Sequence, residues 1–181
     1  MGQGKTRGRS ITFNGMEALK LGEQAPDLDL LDEAGRPVAL SSQAAGRPLL
    51  VLVFRGPDDE AGLRLLRDYR DLTLAFRRAG VNLCGIAVAD PSSLAYMRRE
   101  RGLAFPLLAD PDGSALSRWQ MADQNGLVLL DRSLHVRQSA LGGRATASAM
   151  LAFVRRSGQP RGIARFFTAL QHVLLPKRLA R

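Results

Sequence analysis

Cys84 is the one thiol in the chain and the only candidate for a redox nucleophile. It lies inside an apolar run over residues 81–88 that reads as a covered strand, where a cysteine behaves as a small apolar side chain with a raised pKa. A single cysteine also excludes an internal disulfide, a C-x-x-C dithiol and a cysteine-rich zinc site, and it fits a reducing, cytoplasmic setting. Asp58, Asp59 and Glu60 follow Gly56-Pro57 at the head of a helical pattern. Carboxylates there cap free backbone N–H groups and meet the positive end of the helix dipole.

The other chemical candidates are weaker. His135 and His172 have no partner at H-x-x-x-H spacing, so no metal is expected. Asp110-Pro111-Asp112-Gly113 opens like a calcium loop but lacks the closing Glu, and reads instead as a turn and helix cap. Gly4-Lys5-Thr6 imitates the end of a phosphate loop without its earlier glycine and preceding strand. Gly2 with Thr6 fits a myristoylation pattern, but one acyl chain with three charges is a marginal anchor. No nucleophile elbow, H-E-x-x-H or dinucleotide fingerprint occurs, so no cofactor is expected.

The elements that position these residues follow from hydrophobic period. Leu28 and Leu30, the Asp32-Glu33-Ala34-Gly35 turn and Val38-Ala39-Leu40 predict a hairpin. The LLVLVF run over residues 49–54 predicts a central strand buried on both faces. Leu65, Tyr69, Leu72 and Phe76 at helical spacing predict one long amphipathic helix closed by Gly80. Beyond the strand over 81–88, the pattern predicts helices over 92–101, 114–119 and 145–156. It predicts strands over 105–108, 126–130 and 134–139, the last two paired across Asp131-Arg132-Ser133. Strands separated by helices imply right-handed crossovers and a partly parallel sheet.

Charge is concentrated at the ends. The formal net charge is +9, yet residues 11–150 balance sixteen basic residues against all seventeen acidic ones. Residues 1–10 form a basic arm with no apolar h-region, so no secretory signal is expected. Residues 157–162 read as a linker, and residues 163–181 as a basic amphipathic helix and tail. Ile163, Phe166, Phe167 and Leu170 share one face of that helix, which could dock on its own domain, meet an anionic membrane surface, or pack on a protein partner or second copy. With basic residues sparse there and a neutral body, nucleic acid is not an expected partner.

Several strings in order resemble the peroxiredoxins, the alkyl hydroperoxide reductase and thiol-specific antioxidant branch of the thioredoxin fold. They are LGEQAPDLDLLDEAGRPVAL at 21–40, LLVLVFRG at 49–56, GVNLCGIAVAD at 80–90, FPLLADPDG at 105–113 and GLVLLDRSLHV at 126–136. ITFNGMEALK at 11–20 is similar to an N-terminal hairpin of the same family. The resemblance covers residues 11–156 and implies an α/β three-layer sandwich with a mixed central sheet and an N-terminal hairpin, to which the amphipathic helix over 163–181 is an addition.

The resemblance implies peroxidase chemistry by a cysteine at the N-terminus of the long helix, in an R-G-x-W-C-x-x-C or P-x-x-x-T-x-x-C loop. The first form places Asp59 and Gly62 at the two cysteines. The second starts at Pro57 and places Ala61 at the threonine and Arg64 at the cysteine. The family's later active-site arginine falls near Gln124-Asn125. With these groups replaced, the expectation is a binding or regulatory scaffold without peroxidase activity. The alternative is a thiol-dependent antioxidant oxidoreductase using Cys84.

Overall fold

The computed structural model describes residues 19–142 and 146–157. The expectations for the basic arm, for residues 11–18 of the N-terminal hairpin, and for the amphipathic helix with Ile163, Phe166, Phe167, Leu170 and His172 lie outside these residues.

Among the described residues, seven strands form one sheet in the order β2-β1-β5-β4-β3-β6-β7. β1 (Asp29–Leu31) and β2 (Pro37–Ala39) make the expected hairpin, in which Asp32 accepts from the backbone of Ala34 and Arg36. β3 (Leu49–Phe54) is central and fully buried; it pairs parallel to β4 (Asn82–Ala87) and antiparallel to β6 (Gly126–Leu130). β4 pairs parallel to β5 (Leu107–Ala109), and β6 antiparallel to β7 (Val136–Leu141). The sheet is therefore mixed, with helices on both faces, and the thioredoxin-like α/β expectation holds.

Alternation along β3 divides the core. Leu50, Leu52 and Phe54 face a layer with Leu65, Leu66, Tyr69, Phe76, Leu94 and Val154, whereas Leu49, Val51 and Val53 face Leu28, Leu40, Leu116 and Trp119. Burying one large aliphatic side chain of this kind is worth roughly 1.5–3 kcal/mol, so the six residues of β3 anchor both layers.

The single long helix is corrected to two, α2 (Glu60–Arg70) and α3 (Thr73–Arg78). The Thr73 hydroxyl donates to the carbonyl of Tyr69 at 3.0 Å while Leu72 N–H also bonds to Tyr69, tightening the turn and breaking the regular ladder. Leu40 belongs not to the hairpin but to a short helix, α1 (Leu40–Ala44). α4 (Pro91–Glu100) begins with Pro91 in its first turn after Asp90. β5 starts two residues later than expected because Pro106 has no N–H for the ladder. β7 also starts later, since Leu134 adopts a left-handed conformation, φ 61°, inside the turn. α5 (Ser114–Arg118) and α6 (Ala147–Ser157) complete the described elements, α6 taking in Ser157, the first residue of the expected linker.

Candidate functional site

β3 ends at Phe54, and the chain turns through Arg55–Asp58 into α2, whose N-cap is Asp59. One carboxylate oxygen of Asp59 accepts from Gly62 N–H at 3.0 Å and from the side-chain amide of Asn125. The other accepts from the Arg55 guanidinium at 2.7 Å. Asn125, just before β6, uses its carbonyl oxygen to accept from the Arg55 backbone N–H at 3.0 Å. Both ends of the Asn125 amide are thus assigned by their partners. The end of β3, the head of α2 and the start of β6 are thus tied to one carboxylate.

That carboxylate is 9% exposed, while the Arg55 side chain is more than half exposed. The Arg55 hydrogen bond, opposed by burial and reinforced by Asn125 and Gly62 N–H, holds the Asp59 carboxyl down to about 2. Asp59 is therefore ionised at neutral pH and acts as a charged helix cap rather than a proton donor.

Gly62 makes this seat. A Cβ on Gly62 would lie 2.7 Å from Phe54 Cβ and 2.8 Å from Asp59 Oδ2, so α2 can approach β3 this closely only without a side chain there. The structure brings Asp59 and Gly62 together at the head of α2, with Pro57 in the loop leading into it. Arg64 is not part of this constellation: its side chain is 67% exposed and faces Glu60 at 3.7 Å. An exposed i,i+4 pair of that kind adds at most a few tenths of a kcal/mol, roughly 0.3–0.5. The register that puts Asp59 at a cysteine position is thus the one that reaches the helix N-terminus.

Cys84 is elsewhere. It is fully buried in β4 opposite Val51, within the layer of Leu49, Val51 and Trp119, on the opposite sheet face from α2. Burial alone pushes its thiol up to about 12. Asp110 serves as the cap read from the sequence: its two carboxylate oxygens accept from Ala115 N–H and Leu116 N–H at 3.2 and 2.7 Å. His135 Nδ1 lies 3.4 Å from Asp131, and among the described residues no group of three or more His, Cys, Asp or Glu could hold a metal. No helix among them is long and apolar enough to cross a membrane.

The sequence names Asp59 as a cap and marks Asn125 only as lying near the position of the family's later active-site arginine, with no role for Arg55. Their signal was modest: an arginine at the end of a fully apolar strand and an amide immediately before another.

The AhpC/TSA family model matches residues 21–143. A Mycobacterium tuberculosis protein carrying a peroxiredoxin designation is 36% identical over 98 residues, 54% of this chain and 62% of that protein. The chloroplastic peroxiredoxin Q of Oryza sativa subsp. japonica is 30% identical over 98 residues, covering 54% of this chain and 45% of that one. The match therefore spans less than two thirds of either relative. Among solved structures, the Mycobacterium tuberculosis peroxidoxin BcpB superposes with a TM-score of 0.70 at 20% identity, covering 80% of this chain and 99% of that chain. A reduced Vibrio vulnificus Prx3 in complex with hydrogen peroxide gives 0.68 at 16% identity, over 75% and 99% of the two chains. These structural likenesses establish the fold.

Proposed function

Because the chain belongs to the AhpC/TSA family, we propose that it is a member that has given up thiol peroxidase chemistry and keeps the scaffold for binding or regulation. The observation that supports this reading is the occupancy of the α2 N-terminus: Asp59, which the R-G-x-W-C-x-x-C alignment puts at a cysteine position, has both its carboxylate oxygens engaged by Arg55, Gly62 and Asn125. Thiol peroxidase chemistry requires a thiolate sulfur to attack an O–O bond and accept one oxygen as sulfenic acid. A carboxylate has no equivalent step. Cys84 is an unfavourable substitute, since its thiol is protonated at neutral pH and the sheet separates it from the head of α2. We place the protein in a reducing, cytoplasmic setting, with another protein or a second copy of the chain as its binding partner.

The test is hydrogen peroxide consumption by the purified protein with dithiothreitol as reductant, beside Cys84→Ser, followed by intact mass. The expected result is no consumption above the variant and no added oxygen on Cys84. Consumption that disappears in Cys84→Ser would overturn the reading and make Cys84 the peroxide-reducing thiol.

A further inference from the structure

A second feature lies away from the Asp59 cluster, in the groove between α2 and the chain leaving α4. Its floor is Leu63, Leu66 and Leu103, and Arg67, Arg70 and Arg101 line it; the enclosed volume is about 40 Å3. A water molecule's share of the liquid is about 30 Å3, so the groove has room for one side-chain tip. Its walls are pinned by two arginine–carbonyl bonds, Arg70 to Arg101 at 3.3 Å and Arg77 to Ala104 at 2.7 Å.

Arg70 and Arg77 are accounted for by those bonds, and Arg70 also pairs with Asp71. Arg67 and Arg101 are not: both are exposed, and neither forms an ion pair among the described residues, although Asp68 and Glu100 are their chain neighbours. An apolar floor between two unpaired guanidinium groups fits a ligand that is apolar at its tip and anionic on its flanks. The chain's own ends do not supply it. Residues 1–18 carry Lys5, Arg7 and Arg9 against Glu17 alone, and residues 158–181 carry Arg161, Arg165, Lys177, Arg178 and Arg181 with no acid. Both termini share the groove's sign.

We propose that the groove between α2 and α4 docks an acidic peptide segment of another protein through one aliphatic anchor. The anchor's tip enters between Leu63, Leu66 and Leu103, and flanking carboxylates meet Arg67 and Arg101. A peptide is favoured over a nucleic acid because the groove offers a leucine floor and no aromatic platform for a base. The proposal is independent of whether Cys84 reacts with peroxide.

The test uses the full chain, labelled with 15N and titrated with the peptide Ac-EELEE-NH2 at low salt, with Ac-KKLKK-NH2 and an oligothymidylate in parallel. The acidic peptide is expected to shift the amides of Leu63, Arg67, Arg70, Arg101 and Leu103. Its affinity is expected to fall about tenfold or more in Arg67→Glu/Arg101→Glu and to survive in Arg67→Lys/Arg101→Lys. These positions are exposed, so the variants keep their fold, and dispersed amide spectra verify it. Equal affinity in the charge-reversed variant, shifts confined to the basic termini, or no shift at the groove would each overturn the proposal. So would an oligothymidylate that moves the same amides as strongly.

Discussion

Asn125 donates from its side-chain amide to the carboxylate of Asp59, 66 residues earlier in the chain. Because the same Asn125 accepts from Arg55 N–H, this one amide fastens the end of β3 and the cap of α2 to the start of β6. The cluster is a built joint, and its charge gives it a measurable pH signature.

Asp59→Asn keeps the shape but places an amide N–H2 toward groups that are already donors. The loss of a charged N-cap is expected to cost about 1–2 kcal/mol at neutral pH. Since the folded-state pKa is depressed to about 2 from 3.8, the carboxylate's contribution is complete above the unfolded value and is lost as pH falls through the folded one. Urea midpoints of the two proteins should therefore differ above about pH 4 and converge toward pH 2. A constant difference across that window would contradict the assignment.

Gly62→Ala forces a methyl carbon into the contacts with Phe54 and Asp59, and overpacking of this kind costs roughly 1–3 kcal/mol. Chemical denaturation would measure it. The same geometry predicts that Gly62→Cys is destabilising, so the second cysteine of the aligned motif cannot be restored without moving α2. A variant as stable as the parent protein would refute this.

Cys84 is expected to resist iodoacetamide at pH 8 under native conditions, because its thiolate is a minor species and its sulfur is covered. Labelling followed by mass spectrometry across a urea series should rise with global unfolding. Rapid native labelling would show that β4 opens locally.

Asp110→Ala removes both acceptors for the buried N–H groups of Ala115 and Leu116, with an expected loss of about 2–4 kcal/mol. Asp110→Asn retains one acceptor and should lose less. Thermal unfolding of the two variants gives the order, and an equal or reversed loss would sink the capping account.

β3 and β6 were legible from sequence at their observed limits because consecutive apolar residues admit no solvent face. Asp59 was legible as a helix cap because a carboxylate at the head of a helical pattern satisfies free backbone N–H groups. The break at Leu72 was not, since apolar spacing continues through it while the Thr73 hydroxyl and Leu72 N–H both turn to the Tyr69 carbonyl. α1 has only five residues, too few to show a period. The Asn125–Asp59 contact is a product of topology: it exists only once β6 lies beside β3, which no local pattern announces.

β3 takes one neighbour from β4 and the other from β6, which begins at Gly126. During synthesis, then, an edge with the sequence LLVLVF stays open on one side while more than two further elements emerge from the ribosome. A run this apolar, β-prone and uncharged is a template for association between nascent chains. Ribosome-bound chains with residues up to 125 outside the exit tunnel should be captured by holdase chaperones, and chains with residue 141 also outside it should be released. Equal capture of both lengths would show that closing this edge is not the committing step in biogenesis.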